Sequence, residues 1–370
     1  METKTGKALD ELIATLTEVR TRWASDEWNL RNEMEVSLAH RTMMHMLEGA
    51  LVGNMEADPA YPRMAEMFTP DRKYIGDNPD GIYYDAAISA EHEYVIRGKM
   101  KGAVYVSITI EAGMEDGSMS SETLAVLNDD HFDVAEDDSF ELWLGGPEKP
   151  RGWIAIPEGA SRVTTRHYFE DETPAGANPA KNPEWVIERV SPAPTRPYPT
   201  GDSIAAGIGR VSTFLRSRTL GRPPFGQGGT PPSFVSFQPN NFPAPAKPDN
   251  LGWAAADAHY CMAPYFVGDG QALIITGRWP TCRAANLVLW NRFMQGYDYA
   301  HEQVSLNRTQ TKLEADGSFR IAIAHEDPGL PNWINTQGQM FGLAFWRFML
   351  AEGDVEAPVA EVVELADLKT

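Results

Sequence analysis

His325 and Asp327 stand two residues apart at the end of the apolar run Phe319-Arg320-Ile321-Ala322-Ile323-Ala324. Strand alternation puts His325 on the face of Phe319, Ile321 and Ile323, the inward face if those residues form the core. An imidazole held in one tautomer by a nearby carboxylate can serve as a general acid or base. A core histidine satisfied by a backbone group is the plainer reading. Further on, Arg347 lies inside FGLAFWRFML, which is apolar on both faces. A guanidinium buried there requires a partner, and Glu326 and Asp327 are the candidates. Its planar fork suits a carboxylate or a developing enolate. Arg166, followed by His167 and Tyr168, holds a similar place in RVTTRHYF. The expected catalytic set is therefore His325 as acid or base, Asp327 as its orienter, and Arg347 or Arg166 as stabiliser of negative charge. An arginine at both places equally fits a structural ion pair. Tyr84, Tyr168, Tyr260, Asn332 and Trp333 are the expected substrate contacts.

Other motifs offer less. His40 and His45 are five apart on a helical stretch and point about 140° apart, so they do not form a one-face metal pair. GIGRVS lacks the third glycine of a dinucleotide fingerprint. GDSIAAG, around Ser203, departs from the nucleophile elbow at Ala205 and follows prolines rather than a strand; Ser203 or Asp202 as a helix cap is simpler. No metal and no cofactor is expected.

The elements that must position these residues follow from rhythm. Leu9, Leu12, Ile13, Leu16, Val19 and Trp23 mark one face of an amphipathic helix. A Met- and Leu-rich helix follows over about 30–51, and its TMMHMLEGALVGNM stretch reads as a core helix. From residue 74 short β-type runs alternate with Gly, Asp and Pro. A proline-rich stretch over 173–252 reads as a connector holding one helix, about 203–218, and the β rhythm then returns. The two β regions lie over each other when Gly98 is set on Gly277. Trp153 then matches Trp333, Gly159 matches Gly338, and His325 falls opposite about Gly145, so the fold itself does not require that histidine. The expected fold is mainly β with α additions: a helical section (1–73), a first β-sandwich-like unit (74–172), the connector (173–252) and a second unit (253–370).

DGSFRIAIAHEDPG and DPGLPNWINTQGQMFGLAFWR also resemble the bacterial domain-of-unknown-function family numbered 1214, often found in tandem with family 1254. The resemblance is strongest over about 278–368. It implies a β-sandwich-like fold of two related halves and no established activity.

The 370 residues carry a formal charge of −20, which disfavours nucleic acid and anionic membranes as partners. No leader pattern opens the chain and no apolar run is long enough to span a bilayer. Two cysteines, Cys261 and Cys282, read as free thiols. A cytoplasmic protein is the expectation, with self-association into a homo-oligomer left open. For function two readings stand. One is a cofactor-independent acid–base enzyme (isomerase, hydro-lyase or hydrolase) acting on a small apolar or aromatic metabolite between the β units. The other is a non-catalytic sandwich that binds a glycan or hydrophobic ligand.

Overall fold

Thr3 starts α1 (Lys4–Trp23) by accepting a hydrogen bond from Gly6 N–H, and Asn32 caps α2 (Glu33–Asn54) by accepting one from Glu35 N–H. The computed structural model describes residues 2–249 and 251–368; Met1, Asn250, Lys369 and Thr370, which the section limits above include, lie outside the described residues. Within α1 the buried stripe is Ala8, Thr15, Val19 and Trp23. Leu9 and Ile13, expected on it, are exposed. α3 (Gly201–Arg218) is capped by Thr200, with Ser203 as its reciprocal partner three residues on, so Ser203 joins the cap without being it. α3 packs on α1, where the Thr15 and Ser212 hydroxyls meet at 2.9 Å, and Arg210 donates to the last carbonyls of α2, Asn54 O and Met55 O. The three helices form one layer.

The first β unit contains β1 (Ala65–Glu66), β2 (Gly81–Ala87), β3 (Tyr94–Lys99), β4 (Tyr105–Ala112) and β5 (Thr123–Asn128). It continues through β6 (Ser139–Leu144), β7 (Trp153–Ile154), β8 (Ala160–Tyr168) and β9 (Val186–Arg189). Two of these strands fall outside the expected β limits: β1 lies in the helical section and β9 in the connector. The second unit contains β10 (Ala258–Phe266), β11 (Gln271–Gly277), β12 (Ala284–Trp290) and β13 (Ser305–Asn307). Its remaining strands are β14 (Phe319–Ala324), β15 (Trp333–Asn335), β16 (Phe341–Met349) and β17 (Val359–Glu364).

Strand order repeats from one unit to the other. Sheets β2-β8-β4-β5 and β10-β16-β12-β13 correspond, β1 being an extra edge, and so do β7-β6-β3-β9 and β15-β14-β11-β17. The last strand pair is parallel in both cases, β6 with β7 and β14 with β15. Gly98 pairs with Phe140 and Gly277 with Phe319. In each case a Cβ on the glycine would meet the phenylalanine ring, at 2.9 Å and 2.7 Å. Before each phenylalanine an aspartate, Asp137 or Asp316, accepts from the backbone and hydroxyl of the serine two residues on. Residues between them, Asp138 and Gly317, have φ 72° and 82°, the left-handed region that such a turn needs.

Each unit closes its own sandwich core. Ile82, Ile108, Leu142 and Val163 lie inside the first, and Leu273, Leu287, Ile321 and Trp346 inside the second. A third cluster joins the outer faces of the β8 and β16 sheets to the helices, through residues such as Tyr83, Tyr168, Phe214, Tyr260 and Trp290.

Candidate functional site

β8 and β16 are flanked on both sides within their sheets and carry Arg166 and Arg347 at matching places. Arg166 stands between Tyr83 and Ser107, and Arg347 between Tyr260 and Asn286. Alternation turns all six side chains away from the sandwich cores and toward the other unit. A cavity of about 410 Å3 opens there, within the range of small-molecule sites. Its first wall includes Tyr83, Thr164, Arg166 and Tyr168, and its second Tyr260, Trp290, Phe345 and Arg347. The connector covers it with Arg222, Phe225, Phe234 and Phe237, and Trp253, at the start of the second unit, lies beside them.

Among the described residues the cavity's charged lining is Arg166, Arg222 and Arg347, with no carboxylate. Arg166 donates through Nη1 to Thr109 Oγ1 and through Nη2 to Trp253 O, both at 2.9 Å. Burial opposes its charge, but Tyr168 and Glu111 nearby outweigh that and raise its pKa. Arg222 reaches Met294 Sδ at 3.4 Å, and burial lowers its pKa. Arg347 donates through Nη2 to Gly76 O at 2.9 Å. Its guanidinium lies 4.6 Å from the centre of the Phe345 ring and 5.2 Å from that of Trp290, beside two rings that stack on each other, so the charge finds π density. Its Nη1 is buried and meets no acceptor among the described residues. Behind it stand two fully buried carboxylates, Asp77 and Asp80. Burial pushes each up to about 6. Asp80 accepts from Asn286 and Asn307, and Asp77 from Gly296 N–H. Burial also raises Tyr83 and Tyr260, so both phenols are neutral at ordinary pH.

Of the residues singled out from sequence, Arg166, Arg347, Tyr168 and Tyr260 come together here; the others do not. His325 pairs through Nδ1 with Thr336 Oγ1 at 2.5 Å and through Nε2 with Val267 O at 3.1 Å. That is the plainer, satisfied-histidine reading. Asp327 does not orient it: its carboxylate is exposed and accepts from Gly329 N–H at 2.8 Å. Nor do Asp327 and Glu326 pair with Arg347. The reason is topological, because β14 lies in one sheet of the second sandwich while Arg347 projects from the far side of the other. Strand pairing also sets Gly146, not Gly145, opposite His325. Tyr84 faces the first sandwich core and takes a hydrogen bond from Asn182. Asn332 accepts from Lys312 N–H and donates to the Lys312 and Arg320 carbonyls, and Trp333 Nε1 donates to Ala324 O at 3.2 Å. Those two residues fasten β15 to β14; Trp153 does the same through Gly145 O.

Sequence reading missed Trp290, Phe345, Arg222 and Trp253. A signal for two of them was present: once Arg347 is laid on Arg166, the outward neighbours in its own sheet are Phe345 and Trp290. Arg222 lies in the connector and Trp253 just past its end, before β10, where neither repeat nor periodicity points to them.

No family model and no curated protein matches the chain. Among solved structures it is similar to an uncharacterised protein from Burkholderia cenocepacia, with 23% identity, a TM-score of 0.83 and 98% of each chain covered. A protein from Vibrio parahaemolyticus is similar at 12% identity and a TM-score of 0.48, over 87% of this chain and 100% of that one. At such identities the Burkholderia likeness shows the fold alone, and any function has to be argued from the cavity between the two β units.

Proposed function

We propose that this protein binds a small apolar or aromatic molecule between its two β units and acts there as a receptor rather than an acid–base catalyst. One observation carries the reading: aromatic side chains from the outer faces of both units wall a single cavity, roofed by the connector. Large apolar walls with a few placed polar groups are the usual make-up of a ligand site. Against the enzyme reading, His325 is satisfied within the second sandwich, and among the described residues the cavity lining offers no imidazole, carboxylate or thiol to exchange a proton. The resemblance to family 1214 implies no activity and weighs on neither side.

Trp253 and Trp290 in the lining provide a reporter. Titration with 1-naphthalenemethanol should quench tryptophan emission to saturation with one site per chain. Met262→Trp, on the second wall, should fill the cavity and abolish that saturation. Quenching that survives the filling would place binding elsewhere and sink the proposal.

A further inference from the structure

The cavity's polar groups are one-sided in a way that says more about the ligand. Three lining residues carry buried side-chain atoms with no partner among the described residues: Arg347 Nη1, Thr164 Oγ1 and Trp253 Nε1. Two can only donate, and the third donates readily. Leaving a buried donor unpaired costs free energy that a bound acceptor returns. Arg347 and Thr164 are only 5% and 2% exposed, so their demand falls inside the molecule. Arg166 does not share it, since both its terminal nitrogens already donate to protein oxygens. The charge points the same way. A chain of net charge −20 places three guanidiniums and no carboxylate around one apolar space.

We propose that the ligand of this cavity is an aromatic or other bulky apolar carboxylate, its carboxylate held by the free Nη1 of Arg347 and its body lying against Trp290 and Phe345. This deepens the receptor reading and rests on it. Arginine suits the task because its donors are fixed in a plane and it stays charged when desolvated. Asp77 and Asp80 partly offset the arginine's field from behind, but their hydrogen bonds go to Gly296, Asn286 and Asn307 and not to Arg347. Nη1 is thus the guanidinium nitrogen left without a partner among the described residues.

Two probes of one shape and different charge make the test: 1-naphthoate and 1-naphthalenemethanol, titrated calorimetrically into the full chain at pH 7.5. Naphthoate should bind at least roughly tenfold more tightly, the scale of a hydrogen bond to a charged group. In Arg347→Met the two affinities should become equal, while Arg347→Lys should keep part of the preference. The wild-type comparison needs no variant, so a folding defect in either substitution leaves the carboxylate claim testable. Equal affinities in the wild type would overturn the carboxylate and leave the receptor reading intact. A preference that persists in folded Arg347→Met would overturn the role of Arg347. Saturable binding of neither probe would overturn both readings together.

Discussion

Arg166 and Arg347 share a strand, a register and an outward face in two units of the same topology, yet their surroundings are opposite. Around Arg166 the outward positions are polar: Thr109, Glu111, Asp85 and Arg162. Strand pairing sets Val288, Trp290, Met262 and Leu343 at the corresponding positions around Arg347. The first arginine has both terminal nitrogens partnered within a polar network, although Ser107 Oγ and Thr164 Oγ1 beside it have no partner among the described residues. Arg162 and Asp85 form a buried ion pair at 2.9 Å next to it, and Glu111 accepts from Ser120, Thr123 and the Trp253 backbone. The second arginine keeps a donor unused against two aromatic rings. Duplication thus preserved what closes each sandwich and let the outer faces diverge, one to set a polar network behind its wall of the cavity, the other to line its wall with apolar side chains. Most buried polar groups are satisfied, so a guanidinium nitrogen unpartnered among the described residues in only one of two equivalent places sets the second face apart.

The sharpest way to break this contrast is at the ion pair. Arg162→Leu, importing the second unit's residue, should cost about 3–5 kcal/mol by leaving Asp85 buried without its partner. Adding Asp85→Met should recover most of that loss; urea midpoints of the two variants measure both. A double variant no more stable than the single one would mean that the first face cannot be made apolar. Next comes a matched pair. Arg166→Met takes one partner from Thr109 Oγ1, which still donates to Glu111, and strands the Trp253 carbonyl; it should cost roughly 1–3 kcal/mol, whereas Arg347→Met gives up one backbone acceptor and should cost under about 1 kcal/mol. Equal losses in thermal unfolding would erase the distinction between a finished and an open arginine. The glycines test the shared part instead: Gly98→Ala and Gly277→Ala should each cost roughly 1–3 kcal/mol, since both drive a Cβ into a phenylalanine ring. A large loss in one and none in the other would refute their equivalence.

The smallest effect is a pH dependence. His167 follows Arg166 and is fully buried in the first core, where Phe348 is its counterpart beside Arg347. Burial lowers its pKa to about 3 from 6.5. Between those values the unfolded chain binds a proton that the folded chain does not, so this residue makes stability fall as the pH drops below 6.5. One unit lower, at pH 5.5, the loss is about 1.4 kcal/mol. His167→Phe should remove that part of the acid sensitivity, read as the change in urea midpoint between pH 7.5 and 5.5 for each protein. An unchanged difference would show that His167 already takes up a proton in the fold.

Much of the architecture was legible before any coordinates. Gly98 and Gly277, Trp153 and Trp333, and the turns before Phe140 and Phe319 repeat because each satisfies a local demand of backbone or ring that any copy of the unit must meet. The site was legible only in part. Arg166, Arg347, Tyr168 and Tyr260 lie on strands whose alternation gives their side of the sheet. His325 and Asp327 looked like an acid–base pair because two residues along a chain are always close, but Asp327 lies past the end of β14 and turns to its own loop.

The sequence by itself determined the strands, their duplication and the arginine in each half, since period-two patterning and turn chemistry act over a few residues. Only the tertiary structure decided which faces meet. Alternation sorts side chains to one side of a sheet or the other without saying what covers that side. The connector and the start of the second unit brought Arg222 and Trp253 over a cavity that neither unit encloses alone, and packing the two units left Arg347 in its lining with one nitrogen unpartnered among the described residues.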